Sequence, residues 1–537
     1  MSGFIERLIE DWLIKADERG YQLPFAAVLS KQGHVVKMVS HHSTGEHGKD
    51  IVSVSPDRKV NAYQLKAGDI STREWRQIDG EVRECASVPI SVPGMSVKVP
   101  DRAFLVLSGQ LSDPVREKLN LINQDNAQKG WPTIETIELA QLVGDFARSF
   151  EEFFPQAVTP LHELMRLYLQ DGKGTQDKDA FAGILASMLS DATTRQKAKR
   201  CVSNIVVASE FAASAFRKSS NYVSEIETWV FASTYILQLA KRMNLPGILW
   251  HGSLDLCKAA IDVAAQDLLS EVYSRPDFIE GDAVFDGQFL PYRRTIVLGF
   301  VSAILNSQCI SGEDITDRSG KLRELMLKQL PMRPWGEGAW TLYLNLALAL
   351  RHTPEGETLA EDILHDWLKF ACPHRSPWPR EPYWTVDDEI GREILGEDDV
   401  DYERARVTFS AAAASGILVR RMRRQAIANL WPDLGRFEWS KFVPPELWMH
   451  LSWRVEEGVN ELAVQPYRVS WAKWRSQAYS QRSNLFDDRE KWLLPYFLCV
   501  FPHRTDPQFS GELDYATSPQ RTQQSWDTKL AEITSKT

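Results

Sequence analysis

Residues Gly45–Asp69, GEHGKDIVSVSPDRKVNAYQLKAGD, decide how the first part of this 537-residue chain is read. The runs DIVSVS and NAYQLKAG are rich in β-branched and apolar residues, with turn residues between them, so they read as two short strands able to pair antiparallel. Asp50 opens the first strand and Lys66 closes the second, although both strands otherwise look half buried. Burying charge is costly unless it is paired or binds a metal, so these positions mark a candidate site. Gln64 and Lys66 are two residues apart and therefore share a face of their strand, and antiparallel pairing brings Asp50 close to them. That face offers a carboxylate, an amide oxygen and an ammonium. The oxygens suit Mg²⁺, which takes few protein ligands and keeps several waters. The lysine can position a metal-bound water, or help deprotonate it, for attack on phosphorus.

Upstream, Phe4, Ile5, Leu8, Ile9, Trp12 and Leu13 form an apolar helical face ending around Gly20. FAAVLS and HVVKMVS then read as further short strands. Downstream, STREWRQIDGEVRECAS is a helix opened by Ser71 or Thr72, with Glu74 at capping-box spacing. RAFLVLSG is a buried strand, and SDPVREKLNLINQDNAQKG is a helix with Ser112 and Pro114 at its start. PTIETIEL is another strand and AQLVGDFARSFEEFF a closing helix. This alternation predicts a mixed α/β domain of about 150 residues.

Asp50 followed at fixed spacing by Gln64-x-Lys66, on neighbouring strands, resembles the PD-(D/E)xK nuclease superfamily. The likeness is to its Mrr-type restriction-endonuclease branch, which commonly has Gln at the middle acidic position. IERLIEDWLIKADERGY resembles that branch's opening helix, while AFLVLSGQLSDPVREKLN and TIETIELAQLVGDF resemble its later strand–helix pairs. The resemblance covers residues 1–152 and implies a restriction-endonuclease-like α/β fold there. It implies that Asp50 is the principal metal ligand and Gln64 a weaker ligand or water-orienting group, with the Leu65 carbonyl also near the metal. Lys66 would act on the attacking water, Glu6 would support the metal from the helix, and Gln77 would contact the site or the DNA backbone. Glu46 is a second candidate for the role of Glu6, and Gly48-Lys49 stands where the branch commonly has Gly-Gly or Gly-Ile.

The implied activity is Mg²⁺-dependent endonucleolytic hydrolysis of DNA, with Mn²⁺ able to substitute. Foreign or modified DNA in bacterial anti-phage defence is the natural context of such an enzyme. Its expected partners are DNA, a separate subunit of a defence system and further copies of itself. A non-catalytic nucleic-acid-binding or scaffold protein with a nuclease-like domain is the alternative, and RNA is a third possible substrate. Blander readings stand beside the site: Asp50 as an Asx-turn residue, and Glu6 and Glu10 as the solvated face of an amphipathic helix. His41, His42 and His47 lie in a polar loop without zinc-ligand spacing and read as exposed.

Beyond residue 152 strand signals almost vanish, predicting a large all-α region divided into residues 153–372 and 385–505, with a mobile tail at 506–537. CPHRSPWPREPYW, Cys372–Trp384, separates the two helical parts, because its prolines cannot continue a helix. TIVLGFVSAIL and GAWTLYLNLALAL are too short for a membrane span and read as buried core helices. No nucleotide-binding phosphate loop, nucleophile elbow or zinc-finger pattern appears. Arg420, Arg421, Arg423 and Arg424 form one basic cluster, and Arg195, Lys197, Lys199 and Arg200 another. Either could contact phosphates, or simply line a solvated helix face. Tryptophans such as Trp448 and Trp453 read as core residues rather than stacking platforms. The net charge of −10 gives no global sign of nucleic-acid binding, although a nuclease can confine basic charge to one cleft. Six scattered cysteines without a CxxC pair, and no signal-peptide pattern, predict a reduced cytoplasmic protein without membrane contact.

Overall fold

The computed structural model describes residues 6, 9–10, 12–14, 16–40, 48–92, 95–97, 99–153, 158–275, 290–328, 338–371, 414–418, 423–434, 438–453, 461–466, 485–504 and 507–518. The chain divides into two compact units, Met1–Ala264 and Ala265–Thr537.

The first unit is built on a five-stranded mixed sheet, preceded and followed by helices. Helix α1 (Glu18–Lys31) begins at Asp17, whose carboxylate accepts the Gly20 N–H at 2.7 Å, and Glu18 in the first turn suits the positive end of the helix dipole. The strands are β1 (Val35–Val39), β2 (Ile51–Val54), β3 (Val60–Lys66), β4 (Ile90–Val92), β5 (Met95–Val97), β6 (Arg102–Leu107) and β7 (Ile134–Ile137). Sheet order is β1-β2-β3-β6-β7, with β4 and β5 forming a separate hairpin. The β1–β2 and β2–β3 pairs are antiparallel, whereas β3–β6 and β6–β7 are parallel. Helices α2 (Thr72–Ser87) and α3 (Asp113–Lys129) cover one face, where Trp75, Ile78, Val82, Val115, Leu119 and Ile122 bury Val52, Ala62 and Leu105. On the other face, Phe25 of α1 packs edge-on against Tyr63, which stacks on Phe104 at 4.9 Å. The expected capping box is present: Ser71 accepts from Arg73 N, and Glu74 accepts from Ser71 N.

Two local expectations fail at α1. The expected helix with Ile9, Trp12 and Leu13 on its buried face is present but ends before Ala16 rather than around Gly20, which lies in the first turn of the next helix, α1. FAAVLS is helix rather than strand. Gly20 through Leu29 are buried all round, so α1 shows no polar stripe. A short apolar run of that kind is read equally well as a buried strand.

Helices α4 (Leu139–Phe153), α5 (Val158–Leu169), α6 (Lys178–Asp191), α7 (Arg195–Lys218) and α8 (Tyr222–Arg242) belong to the same unit. Trp12 stacks on Phe211 of α7 at 4.7 Å and meets Phe146 of α4 edge-on at 5.5 Å. The change of character near residue 150 is thus a change of secondary structure, while packing runs on to about residue 264.

After α9 (His251–Ser274), the described helices are α10 (Leu290–Ile310), α11 (Thr316–Lys328), α12 (Ala339–Leu350), α13 (Pro354–Ala371), α14 (Arg424–Leu434), α15 (Leu494–Val500) and α16 (Pro507–Ala516). As expected, α10 and α12 are buried core helices. A Cβ on Gly299 of α10 would stand 2.5 Å from a Leu342 methyl, so the absence of a side chain sets their close approach. Asn306 and Asn345 join them through a 3.0 Å bond between side chains. The region is not purely helical: β8 (Glu438–Val443) pairs antiparallel with β9 (Glu461–Pro466). Six-residue runs are too short for periodicity to separate strand from helix. Nor is the whole of 506–537 a loose tail, since α16 buries Phe509 and Leu513, and buried Arg351 bonds Asp514 and Thr517. The proline-dense break Cys372–Trp384 lies outside the described residues. No helix among those described is long and apolar enough to cross a membrane.

Candidate active site

Asp50 sits one step before β2, and the β2–β3 register, Ile51 opposite Tyr63, places it opposite Gln64. Its backbone is pinned on two sides. The Asp50 N–H donates to Tyr63 O at 2.8 Å, and Asp50 O accepts from Ser40 N at 2.7 Å and Gln22 Nε2 at 3.1 Å. The buried carboxylate accepts from Leu65 N at 2.6 Å and from Gln64 Nε2 at 2.8 Å. The other end of that amide, Gln64 Oε1, is buried and has no partner. Gly48, at φ +68°, carries the chain into this corner so close to α2 that a Cβ would lie 2.0 Å from Glu81 O.

Lys66, the last residue of β3, shares the face of Gln64. Its Nζ lies 3.2 Å from Glu18 of α1 and 2.9 Å from Glu81 of α2. The ammonium is thus held by helices from opposite faces of the sheet. Tyr21 OH closes the end of the strand by donating to Lys66 O at 2.9 Å and Val106 O at 3.2 Å. Burial alone would lower the pKa of Lys66, but Glu18 and then Glu81 outweigh it and the net displacement is upward. Lys66 is therefore a cation at neutral pH.

The structure brings Asp50, Gln64 and the Leu65 N–H into direct contact, while Lys66 lies on the Gln64 face and meets Glu18 and Glu81. Glu6 is exposed, and the carboxylates meeting Lys66 are Glu18 and Glu81, which the sequence reading passed over. Glu18 was obscured by the misplaced helix end; Asp17 as a helix-start residue was the signal that could have found it. Gln77 is exposed on α2, one turn before Glu81 and on the same side of the helix. Glu46, His41, His42 and His47 lie outside the described residues.

Arg420 and Arg421 also lie outside the described residues, whereas Arg423 pairs with Glu361 and approaches Asp362 at 3.8 Å. Arg424 opens α14. Arg195, Lys197, Lys199 and Arg200 are exposed on the first turns of α7, and Trp453 is a core residue. Among the described residues, no three His, Cys, Asp or Glu side chains are grouped to hold a metal. A metal here would rely on amide and backbone oxygens beside Asp50. The described cysteines are free thiols. No family model, curated protein or solved structure matches the chain.

Proposed function

We propose that the chain is a divalent-metal-dependent nuclease that hydrolyses phosphodiester bonds of DNA at Asp50, Gln64 and Lys66. The observation carrying this reading is the Gln64 amide oxygen, buried and unpaired beside the buried Asp50 carboxylate. An orphaned buried acceptor costs about 1–3 kcal/mol, so it calls for a role beyond packing. The donor set fits Mg²⁺ or Mn²⁺: Asp50, Gln64 Oε1 and the Leu65 carbonyl are hard oxygen ligands. Bound there, the ion would lower the pKa of a coordinated water and offset charge on the phosphate.

The remaining work falls to the protein. Leu65 N and Gln64 Nε2 fix the orientation of the Asp50 carboxylate. Gln22, reaching from α1, fixes the backbone that carries it. Lys66, held as an ammonium, orients the attacking water or a non-bridging phosphate oxygen by donating a hydrogen bond. As a cation it does not accept the water's proton. A role against foreign or modified DNA is part of the same proposal and rests on the resemblance alone.

The test is cleavage of plasmid and phage DNA with Mg²⁺ or Mn²⁺ by the wild type, Asp50→Ala and Lys66→Ala. Cleavage by the wild type alone, with all three folded by circular dichroism, supports the reading. Equal cleavage by all three overturns it. A wild type that binds metal and DNA without cutting would instead be a binding module. Matched DNA and RNA substrates decide the nucleic acid.

A further inference from the structure

We propose that Glu81 is a positioning residue for this reaction, holding the Lys66 ammonium from α2 and yielding part of that contact to the incoming phosphodiester. The inference rests on the nuclease reading above and adds a residue to it.

Three observations converge on this turn of α2. Glu81 Oε2 lies 2.9 Å from Lys66 Nζ. The backbone carbonyl of the same residue meets Gly48 so closely that a Cβ there would approach to 2.0 Å. One turn further on, Lys49, a buried residue next to Asp50 in the chain, donates from its ammonium to Glu84 O at 3.1 Å. The segment that delivers Asp50 and the lysine that closes β3 are therefore both fixed to residues 81–84 of one helix. That helix is anchored by its Ser71–Glu74 capping box and by buried Ile78, Val82 and Cys85. Movement of α2 would shift Asp50 and Lys66 together.

The two carboxylates on Lys66 differ in access. Glu18 is 30% exposed and Glu81 is 50% exposed, while the lysine side chain is 12% exposed. An ammonium has three protons to donate. With Glu18 and Glu81 engaging it, an arriving phosphate oxygen takes the remaining donor or displaces the more accessible carboxylate. Glu81 thus aims Lys66 and also places a negative charge beside an anionic substrate. Removing that charge while keeping the shape should weaken the aim of Lys66 and reduce the repulsion of DNA.

The experiment measures kcat, KM and the Mg²⁺ concentration for half-maximal rate for wild-type, Glu81→Gln and Glu81→Asp full-length chains on one DNA substrate. Thermal unfolding serves as the check on folding. Glu81→Gln is expected to lower kcat by about 10- to 100-fold, the range for partners that orient a catalytic group. KM is expected to fall with it, and the Mg²⁺ requirement to stay the same. Glu81→Asp should recover most of kcat. A merely structural contact would not give the joint fall in kcat and KM or the rescue by Asp. An unchanged kcat in Glu81→Gln overturns the inference. So does a raised Mg²⁺ requirement, which would make Glu81 a metal ligand, or a raised KM at constant kcat, which would make it a substrate contact. A wild type that cleaves nothing in Mg²⁺ or Mn²⁺ overturns the nuclease reading, and this inference with it; an active wild type indifferent to Glu81→Gln overturns this inference alone.

Discussion

Two cations of the first unit, Lys66 and Arg217, are each held between two carboxylates beside the first turn of α1. Lys66 is held by Glu18 and Glu81. Arg217 of α7 is held by Glu225 of α8 at 2.7 Å and by both oxygens of Glu210. Gly20 passes so near that a Cβ on it would lie 3.8 Å from the Arg217 guanidinium, two residues after the glutamate that reaches Lys66. The difference is access. Glu210 is fully buried and Glu225 is 4% exposed, so Arg217 has its donors committed to partners that water does not reach. The Lys66 carboxylates reach solvent, and Gln64, two residues before Lys66 on the same strand face, has an amide oxygen without a partner. A similar charge arrangement is sealed from water in one place and open to it in the other.

Removing each cation breaks this comparison most directly. Lys66→Met is expected to cut DNA cleavage by about 10²–10³-fold, the loss typical of one preorganised donor, and to leave the urea midpoint nearly unchanged. Arg217→Met should do the reverse. It leaves two buried carboxylates without their cation and should cost about 3–5 kcal/mol in urea unfolding. If Lys66→Met destabilised the chain as much as Arg217→Met, the Lys66 cluster would be a structural ion pair and the site assignment would fall.

A cut through the chain sharpens the same contrast. Residues 1–152 contain Asp50, Gln64, Lys66 and all seven strands of the first unit, yet they lack Phe211, on which Trp12 stacks, and Arg217 beside Gly20. This fragment is expected to expose the helix-facing side of α1 and to lose its near-ultraviolet dichroism. Residues 1–264, the whole compact unit, should unfold cooperatively. Cooperative unfolding of 1–152 alone would show that the Arg217 region is an accessory to the sheet rather than part of its support. At a single residue, Gly48→Ala should cost about 1–3 kcal/mol, because its φ of +68° is strained for other residues and its Cβ would strike Glu81 O. The same variant should depress cleavage through the displaced Asp50, which activity at a temperature well below the unfolding midpoint can separate from stability.

What was legible in the sequence follows from how local the determining physics is. The Asp50–Gln64–Lys66 face follows from the period of two in a strand and an antiparallel pairing, so it could be read before any fold was known. The α2 capping box was equally legible, since all its bonds lie within four residues. Glu18 and Glu81 were not, because they reach Lys66 from helices 48 residues before it and 15 residues after it in the chain. Their role depends on which helix face turns towards the sheet, and α1, buried all round, gives no such signal. The Arg217 cluster was invisible for a related reason: Glu210 and Arg217 are seven residues apart, two turns along one helix, a spacing shared by many unremarkable surface pairs. The fold of α16 was hidden by polar residues, among them Asp514, which serves as partner to a buried arginine more than a hundred residues earlier.

The most gradual expected effect concerns pH. Burial pushes the Glu210 carboxyl up, Arg217 opposes this, and the nearby Glu225 and Asp17 add to the rise, leaving it at about 7 against an ordinary 4.5. Between those values the folded chain retains a proton that the unfolded chain has released. Unfolding free energy should therefore fall as pH rises from 4.5 to 7, by at most about 1.4 kcal/mol per pH unit from this group, and the contribution should level off outside that window. Glu210→Gln, neutral throughout, should remove this part of the slope, which urea midpoints at pH 5, 6 and 7 would reveal as a smaller difference between the ends of the series. Asp17 caps α1, so the same titration lies one residue from Glu18. If Glu210→Gln also changed cleavage between pH 6 and 7, the two cation clusters would be coupled through the first turn of α1. Cleavage indifferent to Glu210→Gln across that range would show that the brace and the site act independently despite sharing a helix.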